Sequence, residues 1–191
     1  MRFNSHRVDH ILLLIGIRDE FGGEDVNDVL RLIEIAKTIP NADASKIALY
    51  GWSRGAMMTW QALRQNTQDI SAAIVGAGVV DMAPELQRRP EMDKLMHSMI
   101  PDFAENRESQ LKKRSAINWM QELNNEVPVL ILHGDMDWRV DVTQSQMASQ
   151  RLTELQHSHE LVVYPGGDHS LSKHQEDVQR RVLGFLEANL R

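Results

Sequence analysis

Cysteine is absent from the 191-residue chain, which excludes a disulfide framework, a thiolate nucleophile and any cysteine-built zinc or iron–sulfur site. Any nucleophile must therefore be an oxygen or a nitrogen. A surplus of positive charge is absent too: 21 Lys and Arg stand against 27 Asp and Glu, a formal net charge of −6. Phosphate-rich partners are held by basic patches, so neither nucleic acid nor a membrane surface is an expected partner. Long hydrophobic runs are missing. The longest, Ile11 to Ile15 with Ile17 just beyond, falls far short of the ~20 residues that span a bilayer. The basic start at residues 1–7 is followed by no small-residue cleavage site, so the chain reads as cytoplasmic. No Gly-rich phosphate loop, internal repeat or low-complexity tract occurs, and no cofactor or metal is implied.

What is present is an ordinary globular composition, 42% hydrophobic and 25% charged. A chain of this length can build one core, so one domain over residues 1–191 is expected. Short, nearly continuous apolar runs alternate with longer segments of helical period, the pattern of an α/β chain whose mostly parallel sheet is covered by helices on both faces. Strands are predicted at Ile11–Ile17, Lys46–Tyr50, Ala72–Val75, Val129–Leu132 and Glu160–Tyr164. Helices are predicted at Asp25–Ile39, Arg54–Gln65, Ser115–Leu123, Thr143–Gln156 and Lys173–Leu190. Between Asp81 and Arg114 the rhythm breaks, with Pro84, Pro90 and Pro101 and with Met82, Met92, Met96 and Met99. That stretch reads as a helical insert, whose methionines either face a substrate or fill gaps in a core.

The chemistry concentrates in three loops. An apolar strand, Lys46-Ile47-Ala48-Leu49-Tyr50, runs into Gly51-Trp52-Ser53-Arg54-Gly55 and then a helix, the context of a nucleophile elbow. The turn is tight enough that side chains at Gly51 and Gly55 are expected to collide with neighbouring backbone. Ser53 would project above the sheet edge at a helix N-terminus. A serine hydroxyl is a weak nucleophile, so it needs a base, and the base needs an acid to fix its tautomer. The strand Val129–Leu132 delivers His133-Gly134-Asp135-Met136-Asp137 into the loop after it, where α/β sheets place chemistry. The strand ending at Tyr164 leads into Pro165-Gly166-Gly167-Asp168-His169, a Gly-rich loop that brings His169 forward as the base. Asp137, Asp135, Asp141 and Asp81 all remain open as the acid on spacing alone.

These motifs together resemble the catalytic domain of the prolyl oligopeptidase family of α/β-hydrolases, over roughly Asp19 to Arg191. The segment Asp19-Glu20-Phe21-Gly22-Gly23-Glu24-Asp25-Val26-Asn27-Asp28-Val29 resembles the one before the helix that precedes the nucleophile. Gly51-Trp52-Ser53-Arg54-Gly55 resembles the elbow, His133-Gly134-Asp135-Met136-Asp137-Trp138-Arg139-Val140 the His-Gly-x-x-Asp-x-x-Val acid loop, and Asp168-His169 the histidine loop. The resemblance implies that Asp137 is the acid and that the backbone N–H of Arg54 is an oxyanion-hole donor. It also implies a fold that begins several strands earlier and a second, tyrosine donor upstream. The only tyrosines are Tyr50 and Tyr164, and neither matches that position, so the chain reads as lacking the first strands of the full fold. Ile11–Ile17 would then be an exposed edge through which two copies could pair as a homodimer.

The expected function is a serine peptidase acting on a peptide substrate through Ser53, Asp137 and His169. An esterase on small acyl substrates and an inactive truncated remnant are the alternatives. His157 and His159 read as a polar pair at a strand entry, facing solvent, rather than metal ligands, and His133 as a group that shapes the acid loop. Trp52 and Trp138 read as pocket walls or as packing against the sheet.

Overall fold

A computed structural model describes residues 19–65 and 68–190. Four apolar segments form a parallel sheet in the order β1 (Ile47–Trp52), β2 (Ile70–Gly76), β3 (Val129–Gly134) and β4 (His159–Tyr164). Alternation along the strands divides two cores. Ala73 and Val75 of β2 and Val129 and Ile131 of β3 point to one face, while Ile74, Leu130 and Leu132 point to the other. Side chains alternate across a sheet with period two, so each strand feeds both layers and reads as continuously apolar.

The first face is covered by α1 (Val26–Lys37), α2 (Arg54–Gln65) and α6 (Thr143–Glu154), which contribute Ile33, Trp60, Leu63, Ala148 and Leu152. The second is covered by α7 (Gln175–Asn189) through Val178 and Val182. Each fully buried Ile or Leu in these layers contributes roughly 1.5–3 kcal/mol through area removed from water. Helices α3 (Met82–Arg88), α4 (Met92–Met99) and α5 (Phe103–Arg114) fill the stretch between β2 and β3. Their Met82, Leu86, Met96, Phe103 and Leu111, with Ile100 between α4 and α5, join Met57 of α2 in a separate apolar cluster. Met82 and Met96 are thus gap-filling core residues.

The strand predicted at Ile11–Ile17, and the edge pairing built on it, lie outside the described residues. The helix predicted over Ser115–Leu123 is replaced by two 3₁₀ turns, Ala116–Asn118 and Met120–Glu122, with Trp119 between them at φ −140°. Ala116, Trp119, Met120 and Leu123 are all buried, so the helical spacing of apolar residues is kept while the helix itself is not. Tertiary hydrogen bonds explain the break. Ser115 Oγ donates to the Leu111 carbonyl and accepts from the Met82 N–H, and Ile117 N–H donates to the Val80 carbonyl. These partners replace the ones an α-helix would supply.

Candidate active site

In register, Trp52 pairs with Gly76, Gly76 with Leu132, and Gly134 with Tyr164. The C-terminal ends of the four strands therefore lie side by side, and the loops leaving β1, β3 and β4 carry Ser53, Asp137 and His169. Ser53 sits between β1 and α2 at φ 56°, a left-handed conformation that costs a residue with a Cβ about 1 kcal/mol. The turn is held by the Ser53 N–H, which donates to the Gly76 carbonyl at 2.7 Å.

Gly51 is required here, because a Cβ on it would fall on the Gly55 carbonyl and the Thr59 hydroxyl. Gly55 is different from the sequence expectation. A Cβ there meets nothing within 4 Å, since its hydrogen points away from the strand. Gly51→Ala is therefore expected to destabilise by about 1–3 kcal/mol through overpacking. Gly55→Ala is expected to be neutral or to stabilise by up to about 1 kcal/mol, because the helix prefers alanine. Thermal unfolding followed by circular dichroism separates the two; equal losses would contradict the geometry.

Arg54 opens α2, at a position where the helix provides no acceptor for its N–H. That N–H, beside Ser53, is the one expected as an oxyanion donor. Its guanidinium pairs with Asp19 and lies 4.0 Å from the buried Asp25, and the Phe21 ring sits 5.6 Å from it. Burial raises the Asp25 carboxyl above its ordinary value, although the Gly22 N–H donates to both its oxygens. Arg114 donates to the Glu20 and Phe21 carbonyls. The segment before α1 is thereby tied to the elbow and to the helical insert.

Of the four carboxylates, Asp137 alone is hydrogen-bonded to His169. Asp137 Oδ2 accepts from His169 Nδ1 at 2.7 Å, and Oδ1 accepts from the Arg139 and Val140 N–H groups at 2.8 and 3.0 Å. Burial alone would raise its pKa. Hydrogen bonds from His133, His169 and the Val140 N–H outweigh that and hold the carboxyl well below the usual carboxylate range. Asp135 instead accepts from the Gly166 N–H, Asp141 from Thr143 at the start of α6, and Asp81 from the Ala83 N–H at the start of α3. Each of these three closes a turn, and none is hydrogen-bonded to His169.

The histidine loop is pressed against the acid loop at two glycines. A Cβ on Gly134 would overlap the Gly167 carbonyl, and Met136 N–H donates to that same oxygen at 2.9 Å. The elbow is joined to the histidine loop by Trp52, whose indole N–H donates to the His169 carbonyl at 2.8 Å. This bond gives Trp52 a role that sequence reading left as packing or pocket wall; no pattern in the sequence announces an indole reaching a backbone oxygen so far along the chain. Among the described residues the Ser53 hydroxyl makes no hydrogen bond to the His169 ring. Such bonds are often long before substrate binds and tighten in the complex.

Other residues singled out in the sequence fall elsewhere. His157 points its two ring nitrogens at the Ser158 and Asn124 carbonyls, and burial lowers its pKa. His159 is bonded to the His157 carbonyl and the Ser149 hydroxyl. The Tyr164 hydroxyl donates to Asp177 of α7. Trp138 is 71% exposed and Met136 69% exposed at the rim of the acid loop. No helix among the described residues is long and apolar enough to cross a membrane.

The chain is 23% identical over 137 residues to an uncharacterized peptidase, YtmA, of Bacillus subtilis, covering 72% of this chain and 52% of that protein. It is 27% identical over 190 residues to the acylamino-acid-releasing enzyme of Rattus norvegicus, covering 95% of this chain and 24% of the relative. It thus spans about half of one relative and a quarter of the other. The acylaminoacyl peptidase of Pyrococcus horikoshii superimposes with a TM-score of 0.75 at 23% identity, over 91% of this chain and 29% of that one. Likeness at that identity establishes the α/β-hydrolase fold. The sequence profile of the prolyl oligopeptidase family matches residues 15–191, and the chain belongs to that family.

Proposed function

We propose that this chain is a serine peptidase that works by acyl transfer, with Ser53 as nucleophile, His169 as general base and Asp137 as the acid that orients it. The observation that carries the reading is the buried 2.7 Å contact between His169 Nδ1 and Asp137 Oδ2. A carboxylate accepts only, so Nδ1 holds the proton and Nε2 presents its lone pair. That is the tautomer a base needs to take a proton from a serine.

In the proposed reaction Ser53 Oγ attacks the carbonyl carbon of the scissile amide while its proton passes to His169 Nε2. The imidazolium, stabilised by Asp137, then protonates the leaving nitrogen and the C–N bond breaks. Water, deprotonated by the same nitrogen, hydrolyses the acyl-enzyme and returns the proton to Ser53. The Arg54 N–H donates to the oxyanion, in the electrostatic role that accounts for much of such catalysis. A peptide substrate is favoured by the peptidases among the relatives, and the triad serves a small ester equally well. A p-nitrophenyl ester compared with an aminoacyl anilide separates the two. A cytoplasmic location accords with a chain free of cysteine, and cell fractionation tests it.

The deciding experiment is reaction with a fluorophosphonate probe and mapping of the adduct by mass spectrometry. Labelling confined to Ser53, and lost in a folded His169→Ala variant, is the expected result. A folded chain that takes no label would overturn the proposal and favour the remnant reading.

A further inference from the structure

The His133 ring has no exposure to solvent, yet both its nitrogens are engaged. Nδ1 lies 2.6 Å from Ser145 Oγ, at the start of α6. Nε2 lies 3.1 Å from the Val140 carbonyl and 3.2 Å from Asp137 Oδ2. Carbonyl and carboxylate oxygens only accept, so Nε2 carries the proton, and the Ser145 hydroxyl donates to the bare Nδ1. With a neutral ring, this arrangement leaves neither nitrogen without a partner. Asp137 Oδ2 thus meets two imidazole nitrogens: His169 Nδ1, which donates to it at 2.7 Å, and His133 Nε2, 3.2 Å away, whose N–H is shared with the Val140 carbonyl. His133 reaches it from the end of β3, whereas His169 arrives from the loop after β4.

We propose that His133 is a positioning residue for catalysis: its Nε2–H shares Asp137 Oδ2 with His169, and Ser145 fixes its tautomer. The proposal rests on the serine-hydrolase reading above. Two consequences follow from the geometry. One lone-pair direction of Oδ2 is occupied from a rigid strand, so the other is fixed on His169 Nδ1, and the backbone donors on Oδ1 prevent the carboxylate from turning. The shared oxygen also pulls less strongly on the His169 proton, because His133 already neutralises part of its charge. Neighbouring ionic groups are engaged elsewhere. Asp141 is held by Thr143; Asp135 accepts from Gly166, and Asp168 from Ser172. The Arg139 guanidinium lies over the Trp138 ring, and Arg88 and Arg89 donate to the carbonyls of the acid loop.

The test is kcat/KM for a p-nitrophenyl ester against pH, in the wild type and in His133→Leu, His133→Gln and Ser145→Ala. Leucine removes the donor and keeps the bulk. It is expected to lower kcat at least ~10-fold with KM little changed, and to move the acidic limb upward by about 0.5 pH unit or more as Asp137 binds the His169 proton more tightly. Glutamine keeps an N–H at the reach of Nε2 and is expected to restore most of the rate and the original limb. Ser145→Ala, which frees the tautomer, is expected to fall between. An unmoved limb in His133→Leu, or a glutamine variant as impaired as the leucine one, would overturn the proposal. If His133→Leu does not fold, Ser145→Ala decides by the same limb. Nitrogen NMR titration of the His169 ring reads the same shift without turnover. A wild type inert to ester and probe would sink the serine-hydrolase reading, while the NMR titration would still decide for or against His133.

Discussion

Replacing Ser53 with alanine is expected to reduce hydrolysis by about 10⁶-fold while leaving the unfolding midpoint unchanged, because the proposed mechanism uses the hydroxyl in the reaction and not in the fold. The turn around it is held by main-chain bonds: Ser53 N–H to the Gly76 carbonyl, and Ala56 N–H to the Ser53 carbonyl. Alanine adopts φ 56° at nearly the same steric cost as serine, so a surface-level change within ±0.5 kcal/mol is the expected stability effect. Active-site titration with the fluorophosphonate and a thermal melt measure the two halves. Retention of more than a small fraction of the activity in a folded variant would remove Ser53 from the chemistry. Loss of activity accompanied by a large drop in midpoint would show that the hydroxyl supports the elbow, which the hydrogen-bond pattern gives no reason to expect.

The elements were legible where the local pattern and the tertiary demand coincide. All four described strands lie within two residues of the expected bounds at each end, because residues such as Leu130 and Ile131 are buried on opposite faces and leave no polar gap in the run. Helix α2 matches to the residue, since the elbow fixes its start. The failure at Ser115–Leu123 is instructive. Periodicity reports which side chains are buried, and Trp119 and Met120 are indeed buried; it does not report which backbone groups find partners. At that point Ser115 and Ile117 bond to α5, α3 and the loop after β2, and the helix gives way to two 3₁₀ turns.

At the site the motifs placed three side chains on three neighbouring loops, and parallel register accounts for why that inference works. Strand ends that align by hydrogen bonding force their exit loops together, whatever the intervening sequence. What the motifs could not supply was the division of labour among like residues. Asp135 and Asp137 differ by two positions, yet one closes a turn on Gly166 and the other meets His169. Gly51 and Gly55 are both small in the pattern, yet only Gly51 faces backbone. Spacing carries no information about the direction of a side chain once the chain leaves regular structure, which is where such distinctions are decided.

Asp137→Asn is expected to lower kcat by about 10⁴-fold and to destabilise the fold at neutral pH by roughly 2–4 kcal/mol. The amide oxygen can still accept from the Arg139 and Val140 N–H groups on one side. On the other side its NH₂ meets two N–H donors, His169 Nδ1 and His133 Nε2, in place of an acceptor. The simplest relief is for His169 to move its proton to Nε2, which leaves Ser53 facing a donor and no base. The pH dependence follows from the same bonds. The folded state holds the Asp137 carboxyl well below its ordinary value of 3.8; protonation is therefore easier in the unfolded chain. Its contribution to stability is fully present above about pH 4 and is lost as pH falls through the folded-state range below that. Asparagine cannot titrate, so the variant is expected to be less stable at pH 7 and to lose less stability than the wild type between pH 4 and pH 2. Urea unfolding at a series of pH values measures this. Parallel curves for wild type and variant through that acid range would mean that the buried carboxylate is not the group those four donors hold ionised.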